Sequence, residues 1–357
     1  MMIRGDLKLQ KLHEDFKKFY DKKLLEDYVK LEDKRRKNLK SFLFRFVPFC
    51  IVFYLLCKIF ILTYKDVVNL FLLSIIPLYY VFWPLLEFEA DTKNVVMDKI
   101  LSFFGSFKFG INRISDKDIK KSELFANFSY SSNCDEFCGS YNGVNISVSE
   151  TKIYKQGVRS SRIIFNGLLI MLDFDRKFKG KTVLISKCSL KFELIILFIY
   201  LLGLSGYTYL SMQGAPSLMF VWVLVFNHFI FFAWYIVTRV KNRSKREVIN
   251  LEDVVFAKKW KVYAKDQVEA RYVLTTAFME RILEVKRRFK GKDIEFSFFG
   301  NKLFIAIHTS KDMFETTSLF RSALKYDRIQ NVVNQFYSIF SIIDLLKIDG
   351  NKKDESK

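Results

Sequence analysis

Cys134 and Cys138 stand four residues apart in the stretch FSYSSNCDEFCGSYNGVNISVSE, Phe128–Glu150. Paired thiols with acidic neighbours raise two chemistries, a metal site and a redox couple. Structural zinc requires four ligands, usually from short-spaced pairs of Cys or His. The remaining cysteines are Cys50, Cys57 and Cys188, and the histidines are His13, His228 and His308, all remote in sequence. Cytoplasmic thiols are kept reduced. The favoured reading is therefore a turn: Ser131-Ser132-Asn133 and Gly139–Gly143 punctuate the approach to a strand at Val144, and Asn142-Gly143 suits a tight turn with positive φ.

Other reactive groups are scattered. Asp173 and Asp175 flank Phe174 and would point the same way from a strand. Asp266-Gln267-Val268-Glu269 has the D-x-x-E pattern of a helix capping box, followed by Arg271. His228 follows Asn227 inside an apolar run, where a polar group is either packing glue or functional. The site candidates are Asp135, Glu150, Asp173, Asp266, Arg271 and His228. No phosphate loop or nucleophile elbow is present, and neither a cofactor nor a metal is expected.

The elements that must position these groups are membrane-type. The 357 residues are 50% hydrophobic and include 39 Phe, yet the net charge is +20. A solvated surface rarely coexists with so much Phe. A bilayer span needs ~20 apolar residues, and four stretches approach that: Phe42–Thr63, Leu70–Leu86, Phe192–Met212 and Ser217–Val237. They pair through short turns, Tyr64–Asn69 and Gln213–Pro216, into two hairpins. Lys34, Arg35, Arg36, Lys37 and Lys40 precede the first, and Arg239, Lys241, Arg243, Lys245 and Arg246 follow the last. Positive charge marks the cytoplasmic side, so both termini and the segment 87–191 are expected there. The charged first forty residues do not read as a cleavable signal. The basic excess brackets the membrane, where each cation gains ~1 kcal/mol against anionic head groups. No nucleic-acid motif appears, and nucleic acid is not an expected partner.

Residues 5–40 carry Leu12, Phe16, Tyr20, Leu24, Tyr28 and Leu31 at helical spacing. That face packs on the chain's own domain, on a partner or on lipid. Asn94–Phe104 and Asp116–Phe125 read as further helices. Val144, Ile146 and Val148 alternate with polar residues, as in a half-buried strand. Ile163–Phe174 reads as a central strand and Thr182–Ser186 as the next, with Phe178–Lys181 as the turn between them. Trp260–Ala264 reads as a strand. Thr275 starts a helix to about Arg288. Ile294–Phe298 and Lys302–His308 flank a hairpin at Phe299-Gly300-Asn301, and Asp327–Ile348 is the closing helix.

Several runs together resemble the bacterial membrane-protein family catalogued as domain of unknown function 3137. They are Leu251–Val285, Asn127–Glu150, Ile164–Ile185 and the hairpin FSFFGNKLFIAI, Phe296–Ile307, with DQVEARY, Asp266–Tyr272, the most specific. The resemblance covers about 122–187 and 250–346. It implies an N-terminal membrane hairpin followed by a cytoplasmic α+β domain, and no established activity. Three departures stand out: the two cysteines, Thr276 where Pro is common, and the third and fourth apolar stretches where only a short connection is implied.

The expected architecture is an α+β cytoplasmic domain on a multi-pass helical membrane anchor of four transmembrane helices. It comprises an N-terminal amphipathic helix (1–40), a membrane hairpin (41–88), a first α+β block (89–190), a second hairpin (191–240), a second α+β block (241–348) and a disordered tail (349–357). The last strand and helices need a sheet to pack on, so one domain built from both blocks is expected. The expected location is a bacterial inner membrane. The expected role is to bind or scaffold a protein partner, or a second copy, at the lipid surface. The alternatives are a transporter or channel accessory subunit and a membrane-face enzyme acting on lipid.

Overall fold

The computed structural model describes residues 2–63, 67–111, 113–125, 127–157, 160–187, 226, 228–229, 248–290, 292–309 and 312–346. The third and fourth apolar stretches, the turn at 213–216 and the tail lie outside these, apart from the three isolated positions near 228. The chain divides into two units, Met1–Lys179 with Ala277–Lys357, and Gly180–Thr276.

The first unit opens on helix α1, Met2–Lys23, and a long helix α2, Leu25–Thr63. The apolar repeat is the buried face: Phe16, Tyr20, Leu24, Tyr28 and Leu31 are all buried. Of the alternatives for that face, packing on the chain's own domain is the one found. Helix α3, Val67–Leu101, runs back antiparallel to α2. Asn38 donates to the Pro84 carbonyl and Arg45 to the Tyr80 carbonyl, and Lys99 near the end of α3 pairs with Asp27 near the start of α2. Pro48 lies inside α2, and Pro77 and Pro84 inside α3.

The apolar window within Leu25–Lys58 has a mean hydropathy of 1.8, and 6% of it is buried. Among the described residues this is the one helix long and apolar enough to cross a membrane, with Ser74–Phe88 of α3 a shorter apolar stretch. Of the four expected spans, the described residues thus bear on the first two, of which one qualifies; the third and fourth lie outside the described residues.

The sheet of the first unit is antiparallel. Its order is β1 (Ser106–Phe109), β2 (Tyr130–Tyr141), β3 (Val144–Gln156) and β4 (Ser161–Ser186), and β7 (Ile294–His308) pairs with β4. The β2–β3 turn is Asn142-Gly143, with φ of 48° and 77°, the two positive angles that a type I′ hairpin requires. Strand β7 doubles back on itself at Gly300-Asn301, since the His308 N–H donates to the Asp293 carbonyl and Gly300 has φ 58°.

Two sequence expectations are corrected. Cys134 and Cys138 lie within strand β2 instead of a turn. The small residues there serve close packing: a Cβ on Gly139 would sit 2.3 Å from the Ser106 carbonyl oxygen of β1. Phe178–Lys181 is likewise not a turn, because β4 continues through it to Ser186. Phe178 is buried within the first unit, against Phe298.

Helix α4, Asp116–Ser122, is closed by a Ser115/Asp118 capping box. After helix α7, Thr276–Arg288, and β7, the closing helix α8, Tyr326–Leu346, supplies the core. Phe336 and Phe340 meet Phe104, Phe107, Phe137 and Phe314 with ring centroids 4.8–6.3 Å apart. The abundance of Phe is thus used twice, in this core and on the exposed apolar helix.

In the second unit the end of β4 pairs with β6, Trp260–Ala264, and β6 with β5, Val248–Ile249, all antiparallel. Short helices α5, Val254–Lys259, and α6, Gln267–Val273, flank β6. Asp266 caps α6 by accepting from the Val268 and Glu269 N–H groups, the first half of the D-x-x-E expectation, while the Glu269 carboxylate accepts from the Gly180 N–H.

Candidate functional site

The sheet of the first unit buries three carboxylates. Residues 135–138 of β2 are all buried, so both faces of the sheet are covered there. Asp135, Glu136 and Glu150 are 8%, 9% and 5% exposed. Buried carboxylates are costly unless paired or protonated.

Glu136 lies opposite Ser149 in the β2–β3 register. The Ser149 hydroxyl donates to Glu136 Oε1 at 3.4 Å and lies 3.0 Å from Thr151 Oγ1. Ser149 and Glu150 are neighbours on β3 and face opposite sides. On the side of Glu150, the Met313 N–H donates to its carboxylate at 3.1 Å, and Asp135, Asp312 and Lys93 act on it electrostatically. Lys93, from α3, reaches Asp135 Oδ2 at 2.6 Å. A register shift between Asn133, opposite Thr151, and Glu136, opposite Ser149, is a bulge that leaves Cys134 and Asp135 together opposite Glu150.

The protonation states follow from burial. Desolvation pushes Glu150 up to about 7, with Asp135 and Asp312 adding to the rise and the Met313 N–H and Lys93 opposing it. Burial also raises Asp135, against the Lys93 ammonium, and raises Glu136. Although the residue is exposed, partial desolvation of its sulfur and the Asp135 and Glu150 charges raise the Cys134 thiol, the opposite of what an activated thiolate needs. Chemically, the cluster can take up a proton near neutral pH, with Lys93 balancing one carboxylate. Among the described residues no group of His, Cys, Asp and Glu is arranged to hold a metal ion.

Of the sequence candidates, the structure joins Asp135 and Glu150. Asp173, half-buried on β4, accepts from Asn145 at 3.2 Å. Asp266 and Arg271 lie in the second unit, where Arg271 pairs with Glu252 at 3.2 Å. His228 is exposed on helical backbone. Sequence reasoning missed Glu136, Lys93 and Glu32. Adjacent Asp135-Glu136 gave no signal, because alternation would expose one of them. Glu32 is 4% exposed on α2. It accepts from Arg35, Arg36, Ser322 and the Ala323 N–H, while Arg35 donates to the Leu319 carbonyl at 2.8 Å. These contacts, Arg35 foremost, hold Glu32 down at about 2.

A family model described as "Protein of unknown function (DUF3137)" matches residues 163–348, just over half of the chain. The chain belongs to this family. The matched range takes in the third and fourth apolar stretches, which the resemblance treated as an interruption. No curated protein matches the chain. Among solved structures, the crystal structure of the mycobacterial trehalose monomycolate transport factor A, TtfA, is similar at a TM-score of 0.32 and 7% identity. The match covers 71% of this chain and 94% of that one. A likeness at that level carries no argument about this chain.

Proposed function

We propose that this family member is a multi-pass protein of a bacterial inner membrane whose α+β portion binds or scaffolds a protein partner at the lipid surface. Four spans in two hairpins anchor it, with both termini and the segment 87–191 cytoplasmic. The observation that carries the membrane reading is the apolar window of α2, of which 6% is buried. A core helix of a soluble protein would bury such a stretch. Phe44 is 82% exposed, and Leu43, Val47, Ile51 and Val52 are exposed with it. Arg45 lies over the Tyr80 ring at 4.3 Å, as an arginine does when its head must reach the interface of a bilayer. Anionic head groups are the expected neighbours of Lys34, Arg36, Lys37 and Lys40, while Arg35 is held inside by Glu32 and the Leu319 carbonyl.

The closed state of the acid cluster weighs against the alternative of a membrane-face enzyme built on Asp135 and Glu150. Asp135, Glu136 and Glu150 are tied to the protein's own Lys93, Ser149 and Met313, and no more than 9% of any of these three acids is exposed. The direct test is purification of the full chain from membranes in a gentle detergent, after carbonate washing. A carbonate-resistant protein that co-purifies with a stoichiometric partner, or as a defined oligomer, is expected. A protein released by carbonate would overturn the anchor. A carbonate-resistant monomer with no partner would overturn the scaffold role.

A further inference from the structure

Helix α2 changes character at Phe42. Before it come Arg35, Arg36, Lys37 and Lys40; after it come exposed Leu43, Phe44 and Val47. Arg45 is three residues on, ~4.5 Å along the axis at the usual helical rise. Opposite, α3 presents Tyr79, Tyr80, Phe82 and Trp83, all more than a third exposed. Phe82 meets the Phe42 ring at 5.6 Å. Trp and Tyr gather at the water–lipid boundary, so this band marks where the hairpin enters the bilayer.

A loop far away in sequence reaches the same level. Ser318 and Arg321 bridge to form a tight turn. Leu319 at its tip is buried with Phe42, Val81 and Phe88. The next residue, Phe320, meets the Phe42 ring edge-on at 5.6 Å, yet is 58% exposed. Leu324 is 42% exposed, and exposed Arg321 and Lys325 flank the pair. The loop is held firmly: Glu32 accepts from the Ala323 N–H and Ser322 hydroxyl, and Arg35 binds the Leu319 carbonyl. A rigid turn thus displays a bare aromatic ring beside the interfacial band, with cations around it.

We propose that the 318–321 turn is a second membrane contact: Phe320 inserts at the head-group boundary of the bilayer crossed by α2, while Arg321 and Lys325 meet anionic head groups. The proposal rests on the membrane reading above and adds a third point of support to the two helices. Because α8 begins at Tyr326, the contact would fix how the first unit is seated on the lipid.

The test places the photoreactive analogue p-benzoylphenylalanine at position 320 of the full chain, an aromatic-for-aromatic change at an exposed site. The protein is reconstituted in vesicles of phosphatidylglycerol and phosphatidylethanolamine, irradiated, digested and analysed by mass spectrometry. The control carries the analogue at Asn145. From Trp83, α3 runs 18 residues, ~27 Å, to its end at Leu101, and the sheet that carries Asn145 follows. A phospholipid adduct at 320 at least fivefold above the control is expected. An adduct no higher than the control, or a cross-link from 320 to another protein or a second copy, overturns the proposal while leaving the membrane reading intact. A chain that does not enter the vesicles overturns both.

Discussion

Replacing Glu150 by Gln removes a carboxylate that burial holds near neutral, while keeping an oxygen to accept from the Met313 N–H. In the fold the group is pushed up to about 7 from an ordinary 4.5. The folded state therefore binds the proton more tightly than the unfolded chain does. Stability from this group is fully present below 4.5 and is lost as pH rises through 7. Between pH 5 and pH 8 the native protein should lose at most about 2.5 kcal/mol through Glu150 alone. The Gln variant should not lose it. For a unit of this size each kcal/mol is worth about 2–4 °C in Tm, so the Glu150→Gln variant should gain about 5–10 °C on the parent at pH 8 relative to the same comparison at pH 5. Asp135 and Glu136 also titrate upward, so the parent-minus-variant difference is the quantity to read. Differential scanning fluorimetry in one detergent across pH 5–8 measures it. A difference that is flat with pH would refute the reasoning, because it would mean Glu150 is solvated or already balanced by Lys93.

Glu32 has the opposite sign: held at about 2 by Arg35 and the Ala323 N–H, it contributes stability above pH 4.5 that is lost as pH falls through 2. Glu32→Gln should destabilise by about 3 kcal/mol at pH 7, read by the same fluorimetry extended to acid pH, with the gap to the parent closing below pH 3. Gly167→Ala should cost about 3 kcal/mol, since its Cβ would lie 2.1 Å from the Ile307 carbonyl oxygen; a near-native Tm would refute the close β4–β7 approach. Cys138 is buried and Cys134 exposed, so Cys138→Ser should cost about 1 kcal/mol and Cys134→Ser almost nothing. Zinc chelation should shift the parent's Tm by less than either measurement's error.

Much of the frame was legible because it rests on periodicity. The repeat from Phe16 to Leu31 named the buried face of α1 and early α2, and alternation at Val144, Ile146 and Val148 named β3. Asn142-Gly143 named its turn, because few residues tolerate two positive φ angles. The errors share one cause. Small and polar residues usually punctuate turns, but in β2 and late β4 they allow close packing: Gly139 faces the β1 backbone, and within the second unit the Gly180 N–H is taken by the Glu269 carboxylate. The candidate site was half legible. Asp135 and Glu150 were named only as isolated acids. Their meeting depends on a β-bulge, on Lys93 from the far end of α3 and on Met313, none of which has a local signature. Glu32 looked like one charge among many on a basic helix. Its burial comes from a loop nearly three hundred residues later.

The central claim is that α2 and α3 cross a bilayer and hold the first unit on its cytoplasmic side. The exposed native thiol of Cys134 reports on that unit, and a Lys65→Cys variant reports on the residues between the two helices. A membrane-impermeant maleimide applied to intact cells and then to opened cells tests both positions. The account predicts that Lys65→Cys reacts in intact cells and that Cys134 reacts only once the membrane is opened. Labelling of Cys134 in intact cells, or of Lys65→Cys only after opening, would contradict it.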